Sequence, residues 1–208
     1  VSPILRLAGA QKFTETVPVL DKRGHMVPTE VERELVVDVA LRWGNNYDTE
    51  LRSFVNIVAT PKGGTHIAGF ERGLVKTLND HLSTAKVLKP SEGAITKEDA
   101  LEGATAVVTV RLAEPQFEGQ TKEILGTPAA SRIVAGVVSR ELSSWLANPP
   151  RGDKLVVKSV AEKVANAMRA RVAARAHRDV QRRKSALESS SMPAKLVDCR
   201  SADVERTE

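Results

Sequence analysis

A glutamine and a lysine two residues apart stand in a polar stretch, FEGQTKEILGTP, at residues 117–128. A strand-like run precedes the stretch, and Thr127 followed by Pro128 is typical of a helix start. A lysine ammonium can bind a phosphate group as a point charge, yet the chain has no phosphate-binding loop of the GxxxxGKS or GxxxxGKT type. From the residues alone, Gln120 and Lys122 belong to a polar loop with no visible ligand, and solvation is the simplest interpretation.

A row of arginines near the C-terminal end is the second candidate for chemistry. Residues 151–184 contain eleven lysines or arginines and three acidic residues, so this segment carries +8 where the whole chain carries +5. Four of the basic residues form one helical stripe, Arg171, Arg175, Arg178 and Arg182, and Arg183 and Lys184 extend it. Such a stripe can contact nucleic-acid phosphates without reading base sequence. A solvated face, or salt bridges to another domain, remain the alternatives.

Other kinds of site have little support. The four histidines are scattered, and none has a second histidine or a carboxylate pair at ligand spacing, so no metal site is predicted. His66 follows Gly63 and Gly64, a pair that can form either an anion nest or a tight turn. No Ser–His–Asp arrangement is recognisable.

Composition restricts the class of protein. The chain has 208 residues, of which 41% are hydrophobic and 27% charged, as in a folded domain. Aromatic residues make up only 3%, which argues against nucleic-acid binding through aromatic stacking. The single cysteine, Cys199, fits a reducing compartment. There is no apolar run of membrane-spanning length, and the first residue is Val, so we expect a cytoplasmic segment of a longer protein with no membrane partner.

The pattern of apolar residues predicts an open mixed sheet of about four strands, with helices on one face, an α/β (α+β) fold in two layers. The strands are expected at residues 12–20, 34–43, 53–60 and 105–112. Thr65 is the expected cap of a helix whose buried face is Phe70, Leu74, Leu78 and Leu82. Thr96 and Asp99 suggest a capping box. A helix after Thr127 places four apolar residues on one face: Val134, Val138, Leu142 and Trp145.

A long helix is predicted from residue 158 to residue 184. Its apolar residues are spaced by four: Val160, Val164, Met168, Val172, Ala176 and Val180. A stripe with this spacing drifts by about 40° at each step around a helix of 3.6 residues per turn. We therefore expect the first half of the helix to pack on the domain and the second half to leave it.

Four strings resemble one protein family in the order that the family shows: GGTHIAGF, DALEGATAVVTVRLAEPQFEGQTKEILG, RRKSALESSSMPAKLVDC and the terminal RTE. They resemble the ATPase-bearing B subunit of bacterial type IIA DNA topoisomerases, meaning DNA gyrase or topoisomerase IV, and specifically its transducer domain. The resemblance implies the fold of the second domain of a small-subunit ribosomal protein, with a left-handed crossover. It implies a transducer core at residues 1–157, a basic helix at 158–184, and a linker at 185–208 that leads to a Toprim domain.

The resemblance also implies roles for both candidates. Gln120 and Lys122, in what we call the QTK loop (residues 120–122), would contact the γ-phosphate of ATP held mainly by a neighbouring domain, with Lys122 as the catalytic residue. The six basic residues would line a cavity for duplex DNA. Implied partners are double-stranded DNA, the A subunit and a second B subunit, in the cytoplasm at the nucleoid. Mg²⁺ would be bound elsewhere in the full-length enzyme, and the isolated chain would be inactive.

One departure and one alternative remain. Family members often carry a basic residue directly after GGTHxxGF, where this chain has Glu71 followed by Arg72. A cavity-lining role at this position is therefore in doubt. The alternative is a non-enzymatic nucleic-acid-binding adaptor of the same ribosomal-type fold, which explains the basic helix and leaves the QTK loop unexplained. The sequence does not separate gyrase from topoisomerase IV.

Overall fold

The computed structural model describes residues 2–20, 25–89 and 91–189, with side chains up to Arg183. The chain divides into two units, residues 1–169 and 170–208. The strands are β1 (Leu5–Leu20), β2 (Met26–Trp43), β3 (Glu50–Val55), β4 (Val58–Ala59), β5 (Ala104–Leu112), β6 (Phe117–Glu118) and β7 (Ile124–Leu125). The helices are α1 (Thr65–Thr84), α2 (Lys97–Leu101), α3 (Pro128–Ala147) and α4 (Lys154–Ser189).

The main sheet is mixed and has five strands in the order β1-β2-β5-β3-β4. All its pairs are antiparallel except β3 with β5, which run parallel and are connected through α1 and α2. The prediction of a single third strand at residues 53–60 is wrong. Asn56 has a φ of 54°, a left-handed conformation that asparagine tolerates, and it turns the chain back into β4.

The first two strands are longer than expected, since β1 begins seven residues before residue 12 and β2 eight residues before residue 34. They form a ribbon that continues past the pairing of Leu35 with Leu112, where β5 ends. Side chains near the end of the ribbon lack a covering layer, so its apolar members are exposed: Val19, Leu20, Met26 and Val27. The β1 side of this ribbon falls within the strand expected at residues 12–20, whereas residues 26–33 of β2 have no buried face that a pattern of apolar residues could reveal.

The core lies on one face of the sheet. In β2 and β5 alternate residues are buried, and the intervening ones are half-buried or exposed. Helices α1 and α3 pack against each other over this face, and α1 buries its predicted stripe from Phe70 to Leu82. The two helices approach closely at Gly69, where an added Cβ atom would lie 2.4 Å from the backbone oxygen of Ser131.

Helix capping follows the sequence fully at one of three places. Thr96 and Asp99 form the expected capping box, with the Asp99 carboxylate accepting a hydrogen bond from the Thr96 N–H at 2.8 Å. At the other two places, Thr65 is not the cap, whereas Thr127 is the N-cap residue with Pro128 in the first turn, as expected, but makes no capping hydrogen bond through its side chain. Thr65 is already helical and donates its hydroxyl to the Thr127 carbonyl at 2.8 Å. Thr127 precedes α3, but its hydroxyl accepts a hydrogen bond from the Gln116 N–H at 3.1 Å instead of capping the helix.

Helix α4 begins four residues before the predicted start and runs to Ser189, five residues into the predicted linker. Its buried apolar positions include Val160, Val164 and Met168, as expected for the first half. Val172 and Val180 are about half exposed, at 46% and 51%. The change from buried to exposed falls where the drifting stripe predicted it. Residues 190–208, with Cys199, lie outside the described residues.

A buried polar chain joins β3, the end of β4 and the start of α1. The Ser53 hydroxyl donates to the Thr60 carbonyl at 2.7 Å, and the Thr60 hydroxyl is 3.3 Å from Nε2 of His66. His66 is fully buried, and its Nδ1 atom has no hydrogen-bond partner among the residues that the structure describes. Burial lowers the pKa of His66 from 6.5 to about 4, so the ring is neutral at pH 7.

The close approach at Gly69 predicts the effect of a single methyl group. Gly69→Ala must push α1 from α3, because the atom that it meets belongs to the backbone. We expect a loss of about 1–3 kcal/mol in the free energy of unfolding, measured by urea denaturation. Gly136→Ala is the matched control, since a Cβ atom there has no neighbour within 4 Å, and it should be neutral or stabilising by up to about 1 kcal/mol. Equal stabilities for the two variants would contradict the packing.

Stability should also depend on the protonation of His66. In the unfolded chain the imidazole binds a proton at about pH 6.5, whereas in the folded chain it stays neutral down to about pH 4. The free energy of unfolding should therefore fall as the pH drops from about 6.5 to about 4, by roughly 3 kcal/mol from this group. His66→Gln should lose this part of the pH dependence, and His177→Gln, at an exposed histidine of α4, is the control. An unchanged slope in His66→Gln would disprove the assignment.

Candidate functional site

The QTK loop lies in a small hairpin that the sequence did not predict. Strands β6 and β7 pair Phe117 with Leu125 and Glu118 with Ile124, and the QTK loop forms part of the connection between them. Both strands have only two residues, which is too short for a periodic pattern. The hairpin exposes all three residues of the QTK loop to solvent.

The C-terminal strand of the hairpin, β7, is fixed to the start of α1. The Leu125 N–H donates to the Gly63 carbonyl at 3.1 Å, and Leu125 forms a parallel bridge with Gly64. Gly64 has a φ of 132°, and a Cβ atom there would lie 2.4 Å from the nitrogen and oxygen of Leu125. Since the Gly63 N–H donates to the Thr60 carbonyl at 2.8 Å, the glycine pair acts as a turn and a strand partner, not as an anion nest.

The segment that leads from β5 into the hairpin is fixed to β2 and β1. Arg33, whose side chain is only 8% exposed, donates to the Ala113 carbonyl at 3.0 Å and forms ion pairs with Glu15 and Glu114. The Gln116 side chain donates to the Glu15 carboxylate at 2.8 Å. The chain leading from β5 into the hairpin is therefore held by side chains from two other strands.

The tip, in contrast, makes few contacts. Gln120 and Lys122 form no hydrogen bond or ion pair within the part of the chain that the structure describes. Lys122 has a φ of 56°, an uncommon backbone conformation for a residue other than glycine. Asn56, Lys86 and Glu114 share this conformation, so it does not by itself single out Lys122.

The residue after the QTK loop makes the one strong contact near the tip. The Glu123 carboxylate is 2.6 Å from the Lys62 ammonium, and it accepts a hydrogen bond from the Thr121 hydroxyl at 3.3 Å. The hydrogen bond from Lys62 is the main cause of the lowered pKa of Glu123. Sequence reasoning missed Lys62, Glu123 and Arg33, because only the tertiary pairing brings them to the hairpin. The feature of the sequence that pointed to this region was the Gly63–Gly64 pair, which indicated a turn before α1.

With both ends fixed and its tip open, the hairpin can present Gln120 and Lys122 to a group outside its own domain. An amide and an ammonium at an exposed tip fit an anionic ligand. Among the described residues, no group of three His, Cys, Asp or Glu side chains could hold a metal ion. None of the helices within the described ranges is long and apolar enough to cross a membrane.

The basic stripe of α4 keeps its predicted helical spacing. Arg175, Arg182 and Arg183 are exposed and form no ion pair with any other described residue. Arg178 is exposed too and donates from Nε to the Ala174 carbonyl at 3.3 Å, whereas Arg171 is half-buried and has an interaction of its own. The side chain of Lys184 lies outside the described residues. The stripe from residue 171 to residue 182 covers about 16 Å of helix.

Two other basic residues of α4 have structural partners. The Lys163 ammonium donates to the carbonyls of Gly44 and Asn46. Arg169 donates to Glu92 at 2.6 Å and to the Val87 carbonyl at 3.0 Å, and this hydrogen bonding holds the pKa of Glu92 well below its usual range. Lys163 and Arg169 thus serve packing, whereas Lys154 and Lys158 in the same half of α4 are exposed.

Comparison with known proteins gives consistent matches. The family model for DNA gyrase B matches residues 6–180. The DNA gyrase B subunit of Clostridium acetobutylicum is 41% identical over 190 residues, which are 91% of this chain and 29% of that protein. The DNA gyrase B subunit of Micrococcus luteus is 42% identical over 176 residues, 85% of this chain and 24% of that protein. The chain therefore spans less than a third of these relatives.

Solved structures show the same relationship. The 43K ATPase domain of Thermus thermophilus gyrase B, in complex with an aminocoumarin, is 35% identical with a TM-score of 0.62, covering 70% of this chain and 38% of that one. The topoisomerase IV ATP-binding domain of Francisella tularensis, in complex with a small-molecule inhibitor, is 26% identical with a TM-score of 0.57, covering 66% and 37%. Because the family model matches more than four fifths of its residues, the chain belongs to the DNA gyrase B family.

Proposed function

We propose that this chain is the transducer segment of the B subunit of an ATP-dependent type IIA DNA topoisomerase. The observation that carries the proposal is the hairpin, which fixes both ends of the QTK loop and leaves Lys122 exposed, in a member of the DNA gyrase B family. The segment couples ATP binding and hydrolysis in the whole enzyme to movement of the DNA gate and to strand passage. The family match favours this function over a non-enzymatic adaptor.

The residues at the tip fit one part of a nucleotide. Gln120 and Lys122 offer an amide and an ammonium, enough for a terminal phosphate and too few groups to hold the base, the ribose and the other phosphates as well. The rest of the nucleotide therefore belongs to a neighbouring domain, together with Mg²⁺. The Lys122 ammonium stabilises the charge that develops on the transferred phosphoryl group.

The same contact distinguishes ATP from ADP. Lys122 loses its ligand when the γ-phosphate leaves, so the position of the hairpin relative to the neighbouring domain reports the state of the nucleotide. A short backbone bridge connects the hairpin to α1, and α1 packs on α3. A force on the tip would thus act on the whole core and not on a loop alone.

The remaining assignments belong to the same proposal. Residues 1–157 are the transducer core, residues 158–184 the basic helix and residues 185–208 the connection toward a Toprim domain. The parallel pairing of β3 with β5 through α1 supports a crossover connection of the ribosomal type, and its left-handedness is part of the proposal. The partners are duplex DNA, the A subunit and a second B subunit, in the cytoplasm at the nucleoid. Alone, the segment is inactive.

Removing the ammonium at the tip should reduce ATP hydrolysis. In the intact B subunit with its A subunit, we expect Lys122→Ala to lower kcat for ATP by about tenfold to a thousandfold, the range for the loss of one charge-stabilising group. ADP affinity should not change, because ADP lacks the phosphate that Lys122 contacts. Lys76→Ala, at an exposed lysine of α1, is the control. Near-normal ATP hydrolysis by Lys122→Ala would show that Lys122 does not sense the γ-phosphate.

Reversing the stripe should change how DNA binding depends on salt. With Arg171, Arg175, Arg178 and Arg182 all replaced by Glu, the slope of log affinity against log salt should become shallower, by about 0.9 for each phosphate that the helix no longer neutralises. Replacing the same four residues by Lys keeps the charge and should keep the slope. If the slope of the Glu variant equals that of the wild type, the stripe does not contact phosphates.

A further inference from the structure

The Lys62–Glu123 ion pair lies directly beside the QTK loop. The 2.6 Å contact joins a residue of the turn before α1 to the first residue after Lys122. The Glu123 side chain is 33% exposed and that of Lys62 is 64% exposed. Ion pairs of such exposure contribute little to stability, so the contact is more informative about the loop than about the fold.

Both partners of the pair are held by backbone contacts that do not depend on the pair. Lys62 directly precedes Gly63, whose carbonyl accepts the Leu125 N–H, and Glu123 lies two residues before Leu125. The turn is closed by the hydrogen bond from the Gly63 N–H to the Thr60 carbonyl. The two side chains therefore meet at a preset distance, and less side-chain freedom is lost on pairing than for two unconstrained surface residues.

An unpaired carboxylate at position 123 would interfere with Lys122. Glu123 adjoins Lys122 in the chain, and a glutamate carboxylate is ionised at neutral pH with or without a cation beside it. Without Lys62, this charge would either attract the Lys122 ammonium or repel an approaching phosphate. With Lys62 in place, the carboxylate is directed toward the start of α1, and Thr121 adds a second hydrogen bond.

We propose that Lys62 is a positioning residue for the QTK loop: it holds the carboxylate of Glu123 so that the Lys122 ammonium stays available to the terminal phosphate of a nucleoside triphosphate. The inference rests on the proposed function, in which Lys122 contacts that phosphate. Lys62 itself does not touch the nucleotide. Its effect must therefore pass through Glu123, and a diphosphate ligand must be insensitive to it.

A double-mutant cycle in the intact B subunit with its A subunit tests this. We expect Lys62→Met to lower kcat/KM for ATP by about threefold to fivefold, the range of one partly exposed ion pair, with ADP affinity unchanged. Lys62→Arg should restore activity, since it keeps the cation. In a Glu123→Gln background, Lys62→Met should have no further effect. Lys97→Met is the matched control, because it removes an ion pair away from the QTK loop, between Lys97 of α2 and Glu71 of α1.

Two results would overturn the inference. If Lys62→Met leaves kcat/KM unchanged in the otherwise wild-type subunit, the ion pair does not position the loop. If Lys62→Met is equally damaging with Gln at position 123, Lys62 contacts the nucleotide directly. Lys122→Ala, assayed in parallel, separates these failures from a failure of the proposed function: normal hydrolysis by Lys122→Ala removes the function itself. Equal thermal unfolding of all variants confirms that each is folded.

Discussion

The backbone bridge between Gly64 and Leu125 is the constraint on which the candidate site depends. It joins the end of a two-residue strand to the first turn of a 20-residue helix, and so gives a very short hairpin the rigidity of the core. Hydrogen bonds of the residues on each side stabilise the bridge. Thr65 ties α1 to Thr127, and the buried chain through Thr60 and His66 ties the same turn to β3. A loop with so little structure of its own can therefore keep a defined position.

Local patterns in the sequence predicted the elements whose signals are local. The stripe from Phe70 to Leu82, the capping box at Thr96 and the change of exposure along α4 all follow from spacing within one helix. Non-local pairings could not be predicted in this way. Thr127 has the sequence of a helix cap, but a hydrogen-bond donor brought to it by the hairpin, the Gln116 N–H, uses its hydroxyl instead. The first part of β2 was missed because residues 26–33 have no buried face.

The candidate site could be predicted only in part, because non-local contacts hold it in place. Gln120 and Lys122 were identified through their resemblance to a family, since a polar loop has no physical signature of its own. The groups that hold the loop, Arg33, Lys62 and Glu123, come from three separate parts of the chain. Helix α4 shows a similar limit. Its net charge was visible in the sequence, but the use of Lys163 and Arg169 in packing became apparent only from their contacts with backbone carbonyls.

Two positions that contact the hairpin, 64 and 62, differ in how well they tolerate substitution. At position 64, any side chain would collide with the main chain of Leu125, and no rotation of a neighbouring side chain could relieve a clash with backbone atoms. Position 62 is exposed, and its side chain contacts the loop only through charge. In the proposed function, substitution at residue 62 would therefore adjust the response to nucleotide in small steps while the backbone stays unchanged. Position 64 allows no such change, so it fixes where the loop lies. Position 62 would change only how strongly the loop responds to nucleotide in the proposed function.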